Sequence, residues 1–190
     1  MFEVSSGKNI QLKFSHVRSE ENEADTPSRT LSRSDSMLAP EAWIKIQNRF
    51  GGARGHSVDL MALDSNTQPD LDGKPLPHFA PCASPHAAGS NFFAQPVGVP
   101  AELWRNPYIF PPFNMISAVL RHLLPYQFAF TLVAPAVSPR PVWWPLVRAR
   151  SQSMALGRRG DASVLLAPSK SGFTPVKCPV DLWVFRVNHS

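Results

Sequence analysis

Apolar and polar residues alternate near the start of the chain. Ile10, Leu12 and Phe14 fall on one face of residues 8–17, which predicts a half-buried strand. Residues 18–39 are polar, with Glu20, Glu21, Glu23 and Asp25 followed by Ser/Arg-rich text, and predict an irregular linker. Pro40 opens a helix in which Trp43, Ile46 or Gln47, and Phe50 recur at helical spacing, and Gly51-Gly52 ends it. Val58 to Ala62 reads as a short buried strand. Residues 64–100 are dense in Pro, Gly, Ser and Asn, and a loop of that length is either functional or disordered. Tyr108 to Phe110 predicts another strand. Met115, Ile116, Val119, Leu120, Leu123 and Leu124 then form a helical stripe that Pro125 stops. The apolar run from Phe128 to Val133 predicts a strand buried on both faces, closed by Ala134-Pro135. Trp143-Trp144-Pro145 begins a helix, and strands follow over Ala162 to Leu166 and Asp181 to Val187. This alternation predicts an α/β fold: a mostly parallel sheet flanked by helices, with an N-terminal strand and an irregular linker. There is no internal repeat.

Composition narrows the picture. With 20 prolines among 190 residues, long irregular connections are expected and a helical bundle is not. The net charge of +5 suits an acidic partner such as nucleic acid, and equally a mildly basic surface, because the charge is not gathered in one run. Two distant cysteines, Cys82 and Cys178, do not make a disulfide framework, so a reducing, intracellular setting is expected, nucleus or cytoplasm alike. His78, Cys82 and His86 are spaced four apart, but Pro77, Pro81 and Pro85 interleave with them, which predicts an irregular loop rather than one helical metal-binding face. No apolar run is long enough for a membrane span, and Met1-Phe2-Glu3-Val4 lacks a signal-peptide pattern.

Three groups of residues carry candidate chemistry. Asp59 ends a buried strand, the edge where α/β sheets hold ligands; it is a ribose or amino-group acceptor there, or a turn-forming Asp, with Asp64, Ser65 and Asn66 as equal candidates. Phe110-Pro111-Pro112-Phe113 forms a rigid strand-to-helix turn whose rings either stack on a flat ligand or pack the loop against the helix. Trp143 and Trp144 are adjacent on one helix, so one of them, Trp144, lines a surface cleft or covers an apolar edge. No phosphate-cradling glycine loop is present.

Two resemblances give these groups an order. Residues His16 to Arg29, with Asn22-Glu23-Ala24-Asp25-Thr26-Pro27-Ser28-Arg29, resemble the close of a retroelement ribonuclease H domain, whose last metal-binding carboxylate would be Asp25. The earlier catalytic carboxylates are absent, so ribonuclease H activity is not expected. Residues 56–147 resemble the segment after ribonuclease H in DIRS-like and Ngaro-like tyrosine-recombinase retrotransposons. The shared phrases are Val58-Asp59-Leu60-Met61-Ala62, Asn66, Phe110-Pro111-Pro112-Phe113, Val133-Ala134-Pro135 and Trp143-Trp144. The same order is similar to phage-type DNA N6-adenine methyltransferases.

That resemblance implies S-adenosylmethionine as cofactor, held at Asp59 and Ala62, and an extruded adenine gripped by the turn at 110–113, with Phe113 stacking on the base. DNA or an RNA–DNA hybrid is the implied partner, touched by Phe113 and Trp144. Phe110 departs from the family, which has Asn or Asp there to accept the adenine amino group; phenylalanine has no acceptor. The expected organisation is a ribonuclease H remnant at 1–30, a linker at 31–39 and a methyltransferase-like domain at 40–190. The expected function is a retrotransposon-derived, nucleic-acid-associated domain that has lost its chemistry. The alternatives are an active DNA (adenine-N6) methyltransferase and a truncated gene product without independent function.

Overall fold

Four strands of a five-stranded sheet run in one direction, and a fifth, inserted between two of them, runs against them. The computed structural model describes residues 35–188, which all lie in one compact unit. The predicted strand over 8–17, the ribonuclease H remnant 1–30 and Asp25 lie outside the described residues. Strands β2 (Val58–Asp59), β5 (Pro107–Ile109) and β6 (Phe130–Ala136) pair in parallel; β10 (Asp181–Val187) then pairs antiparallel with β6 and with β7 (Ser151–Gly157). The order is β2-β5-β6-β10-β7. The fold is thus mixed α/β with a mixed sheet: of the four pairings in the main sheet two are parallel and two antiparallel, both of the latter made by β10, which alone runs against the other four strands. The reason is local: β7 and the last strand lie side by side without a covering crossover helix, and β10 returns between β6 and β7. Two smaller sheets complete the fold. β1 (Met37–Leu38), β8 (Leu165–Ser169) and β9 (Gly172–Val176) form one; β3 (Phe79–Ala80) and β4 (Gly89–Ser90) form the other.

Three helices flank the main sheet. Helix α1 (Pro40–Ile46) begins with proline at its first turn, where the lost N–H costs nothing, with Glu41 near its start and Lys45 near its end. It continues into a π-turn over Gln47–Gly51 and stops at Gly52, whose φ of 65° is the left-handed conformation that glycine tolerates. Ala42, Trp43 and Ile46 pack with Tyr108, Val133, Leu182 and Val184 on one sheet face. Helix α2 (Ile116–Leu123) buries the predicted stripe Ile116, Val119, Leu120 and Leu123 on the other face, against Ile109, Leu132 and Phe185. Each such side chain contributes about 1.5–3 kcal/mol by leaving water. Helix α3 (Trp144–Ala149) adds Val147 to the same face.

Several boundaries differ from the sequence expectations. Met37–Leu38, assigned to the linker, pairs antiparallel with Leu165–Leu166, and Leu38 is fully buried. The strand begun at Val58 ends at Asp59. Strand β6 runs through Pro135 to Ala136 instead of closing there; β5 reaches only Leu132 of its partner, so one side of β6 is open where the proline lacks its N–H. Strands β7 and β9 escaped prediction because both lie at sheet edges with mostly exposed or half-exposed residues, which leaves no apolar alternation to read.

Candidate functional site

The carboxyl ends of β2 and β5 meet at a cavity of about 340 Å³. Asp59 pairs directly with Tyr108 across the two strands, so their side chains share a face. Asp59, Ala62 and Asn66 from the β2 side, and Tyr108, Phe110 and Pro112 from the β5 side, all line the cavity. Two motifs some fifty positions apart in sequence thus enclose one space. The remaining wall comes from the long loop at 64–100, which contributes Phe79, Phe92 and Phe93. That loop is irregular yet tied down: Ala62 N–H donates to Phe79 O at 3.2 Å and Asn91 N–H to Ala80 O at 2.8 Å.

The polar groups of this cavity are poorly partnered. Asp59 is 3% exposed, and its carboxylate accepts the Met61 N–H at 3.3 Å. Burial pushes its pKa up to about 7, against the pull of the Met61 and Gln68 backbone N–H groups. The Tyr108 hydroxyl is buried with no hydrogen-bond partner, and burial followed by the Asp59 charge raises its pKa well above the usual value. Asn66 is committed to its own loop: it accepts from Leu63 N–H at 2.7 Å and donates to Asp35 O at 3.0 Å. Among the described residues no Lys, Arg or His lines the cavity, whereas Asp35 and Asp59 do. The walls are rings and thioethers: four phenylalanines with Met37, Met61 and Met115. Such a lining suits a flat, uncharged or cationic ligand and repels a phosphate.

The proline turn stands between this cavity and a wider groove of about 840 Å³. Phe110 and Pro112 face both spaces. The groove side carries Pro111, Phe113 and Asn114 opposite Leu165, Thr174 and Val176 of the small sheet. Phe113 is 40% exposed, with its ring centroid 6.5 Å from that of Phe110. The predicted pair of base-contacting rings therefore flanks an open groove.

The structure does not bring the other candidates to this place. Trp144 lines neither space; it packs edge-on against Phe185, 5.2 Å between centroids, and against Trp183. Asn106, a polar neighbour of the turn, is buried elsewhere. Its amide donates to the carbonyls of Phe50, Gly51 and Gly55 at 3.2, 2.9 and 3.2 Å, and its oxygen accepts from Arg186. It cannot replace the acceptor missing at Phe110. Asp64 accepts from His78 at 2.8 Å and from Ser84, away from Asp59.

A second polar cluster lies deep in the sheet, and sequence reading missed it. Arg186 donates to the Thr131 hydroxyl at 3.2 Å. Thr131 lies 2.9 Å from His56 Nε2, and His56 Nδ1 lies 2.8 Å from the Gln47 side-chain oxygen, which also accepts the His56 backbone N–H at 3.2 Å. Two donors on one oxygen put the imidazole proton on Nδ1 and make Nε2 the acceptor from threonine. Burial, then the charges of Arg186 and Arg105, push the His56 pKa down to about 3, so the ring stays neutral. The only signal in the sequence was a polar residue, Thr131, inside an apolar run.

With this geometry in hand, comparison with known proteins adds no identity: no protein-family model matches the chain, and no curated protein matches it.

Proposed function

We propose that residues 40–190 form a methyltransferase-like, nucleic-acid-associated domain of retrotransposon origin that keeps a nucleoside-binding cavity and has lost methyl transfer. One observation carries this reading. The Asp59 strand end and the proline turn, through Phe110 and Pro112, were matched separately by sequence and line the same cavity, and its described lining has carboxyls and rings but no cation. A last strand that inserts antiparallel beside parallel ones is in keeping with methyltransferase-like sheets.

S-adenosylmethionine fits the residues present. Its sulfonium and amino groups are cationic, its adenine is flat, and it carries no phosphate; its one anion, the carboxylate, has no cation among the described lining residues. Asp59 and the orphaned Tyr108 hydroxyl would take its hydroxyl or amino hydrogens, while Phe79, Phe92, Phe93 and Met61 would bound the ring. When bound, the cofactor supplies an electrophilic methyl group. The chain's own part would be to hold a target base in the outer groove, with Phe113 against its face. Activation of an adenine amino group needs an acceptor at the turn, and Phe110 has none.

Calorimetry with S-adenosylmethionine tests the proposal. The expected result is binding that Asp59→Ala weakens at least tenfold, no binding of ATP, and no methyl transfer to adenine-containing DNA. Absence of cofactor binding overturns the cavity reading. Methyl transfer by the unaltered chain overturns the loss of chemistry and favours the active enzyme, for which Asn114, exposed on the groove beside the turn, offers a polar side chain.

A further inference from the structure

Between Glu102 and Asp161 the chain contains no carboxylate, yet it contains Arg105, Arg121, Arg140, Arg148, Arg150, Arg158 and Arg159. The fold sets two of these arginines on indole rings. The Arg140 guanidinium lies 4.4 Å from the Trp144 ring centroid, and that of Arg148 lies 5.4 Å from the Trp183 centroid. The two tryptophans adjoin, with centroids 6.4 Å apart, and Trp183 runs on to Phe185 in a near-parallel stack at 23°. Both arginines are exposed, and neither has an ion pair among the described residues. Arg140 donates to Val137 O at 3.3 Å and Arg148 to the Ser153 hydroxyl, bonds that orient each fork without neutralising it.

A guanidinium with one face on an indole is held flat, with its other face and its N–H edge left to a ligand. A nucleobase stacks on that outer face, and a phosphate takes the N–H edge. Base faces are free only in single-stranded nucleic acid, because a duplex hides them in its own stack. Charge complementarity points the same way, since both guanidiniums lack an ion pair among the described residues and the acid on the Trp183 strand, Asp181, accepts the Arg159 backbone N–H instead.

We infer that Arg140–Trp144 and Arg148–Trp183 form a docking surface for single-stranded nucleic acid. The inference rests on the nucleic-acid half of the function proposed above and not on the cofactor.

Fluorescence anisotropy of the full chain with a labelled twelve-nucleotide oligothymidylate tests it. The expected results are tighter binding of the single strand than of a duplex of equal length, and loss of about tenfold in affinity in Arg140→Gln/Arg148→Gln. The salt slope of that double variant should fall by roughly 1.4, the share of two phosphate contacts on a single strand. Arg140→Lys keeps the charge and loses the flat stack, so its affinity should drop several-fold with the slope unchanged. Equal binding by wild type and the double variant overturns the inference. So does equal affinity for duplex, full activity of the lysine variant, or equal displacement by polyglutamate. All these positions are exposed and lie outside the cavity, so S-adenosylmethionine titration of the same variants should be unaltered. Failure of this surface and failure of the cofactor reading are thereby read separately.

Discussion

Two buried polar groups lie within two sheet strands of each other and are built on opposite terms. Around His56, the chain Arg186–Thr131–His56–Gln47 hands each donor to an acceptor, and Asn106 caps Arg186 from the far side. Its one loose end is the Gln47 side-chain nitrogen. Around Asp59, the carboxyl is met by the backbone N–H groups of Met61 and Gln68 and by no side chain that neutralises it, and the neighbouring Tyr108 hydroxyl has no partner among the described residues. The first group faces other protein groups, and the second faces a cavity. A network closed but for one amide nitrogen is a structural device, because nearly all of its desolvated groups have already been compensated. An open one stays costly until something else fills it, which is the mark of a site meant for a ligand.

The contrast is broken most severely by Asn106→Ala. That change strips three carbonyls of their donor and leaves the half-buried Arg186 without its amide acceptor. Removing one partner from a buried charged network costs about 3–5 kcal/mol, so urea denaturation should show a loss of that order. A loss below about 1 kcal/mol would mean that the cluster is solvated and not closed.

Asp59→Asn should act in the opposite direction and only at high pH. The folded pKa of Asp59 is about 7 against an ordinary value of 3.8, so its stability contribution is complete below 3.8 and is lost as pH rises through 7. For His56 the folded pKa is about 3 against 6.5, so its contribution is complete above 6.5 and is lost as pH falls toward 3. Between 3.8 and 6.5 the two slopes cancel in the wild type. Asparagine removes one of them. The variant should match the wild type near pH 4 and exceed it by up to about 4 kcal/mol at pH 7.5, at about 1.4 kcal/mol per pH unit. Thermal melts at a series of pH values read this difference. A constant offset across pH would show that the carboxyl is not held neutral by the fold.

The sequence showed the open site more clearly than the closed one. Asp59 and the proline turn stand out because each breaks a pattern: a charge ending an apolar run, and paired prolines between a strand and a helix. The α2 stripe was legible for the same reason, since four buried positions repeat at helical spacing. The His56 cluster was not, because its members come from positions 47, 56, 106, 131 and 186 and only the fold assembles them. Trp183 and Arg148 were likewise invisible as a pair until the fold set β10 beside helix α3. The reversed strand was missed for a different reason: β10 reads as a strand in the sequence, but the direction it takes between β6 and β7 is set by long-range packing and leaves no mark in its own residues.

A smaller effect sharpens the functional side. Phe110→Asn restores an acceptor at the turn, in a half-buried position that faces both the cavity and the groove. Stability should change by only about 1–2 kcal/mol, since the ring is not in the fully buried core. Cofactor affinity should hold within a few-fold. Methyl transfer to adenine in single-stranded DNA should rise from undetectable to measurable with a tritiated methyl donor. If cofactor binds and no transfer appears, the loss of chemistry lies deeper than this residue.

The smallest effect belongs to Tyr108→Phe, and it compares the two groups most directly. The hydroxyl is buried and unpartnered, so deleting it removes a desolvated oxygen and breaks no bond. The free protein should therefore be unchanged or stabilised by up to about 1 kcal/mol, whereas Thr131→Val, which removes a hydroxyl bonded on both sides, should cost about 2 kcal/mol. The ring contacts of Tyr108 with Trp43 at 4.8 Å and His56 at 5.8 Å survive in phenylalanine, so the two substitutions differ in hydrogen bonding rather than packing. The same Tyr108→Phe variant should bind S-adenosylmethionine more weakly than wild type, by about 1 kcal/mol if the hydroxyl finds its partner in the ligand. Stability that rises while affinity falls would identify the hydroxyl as reserved for a ligand. A variant that loses stability without losing affinity would instead give Tyr108 a partner inside the fold, and with it move the cavity wall into the closed class to which His56 belongs.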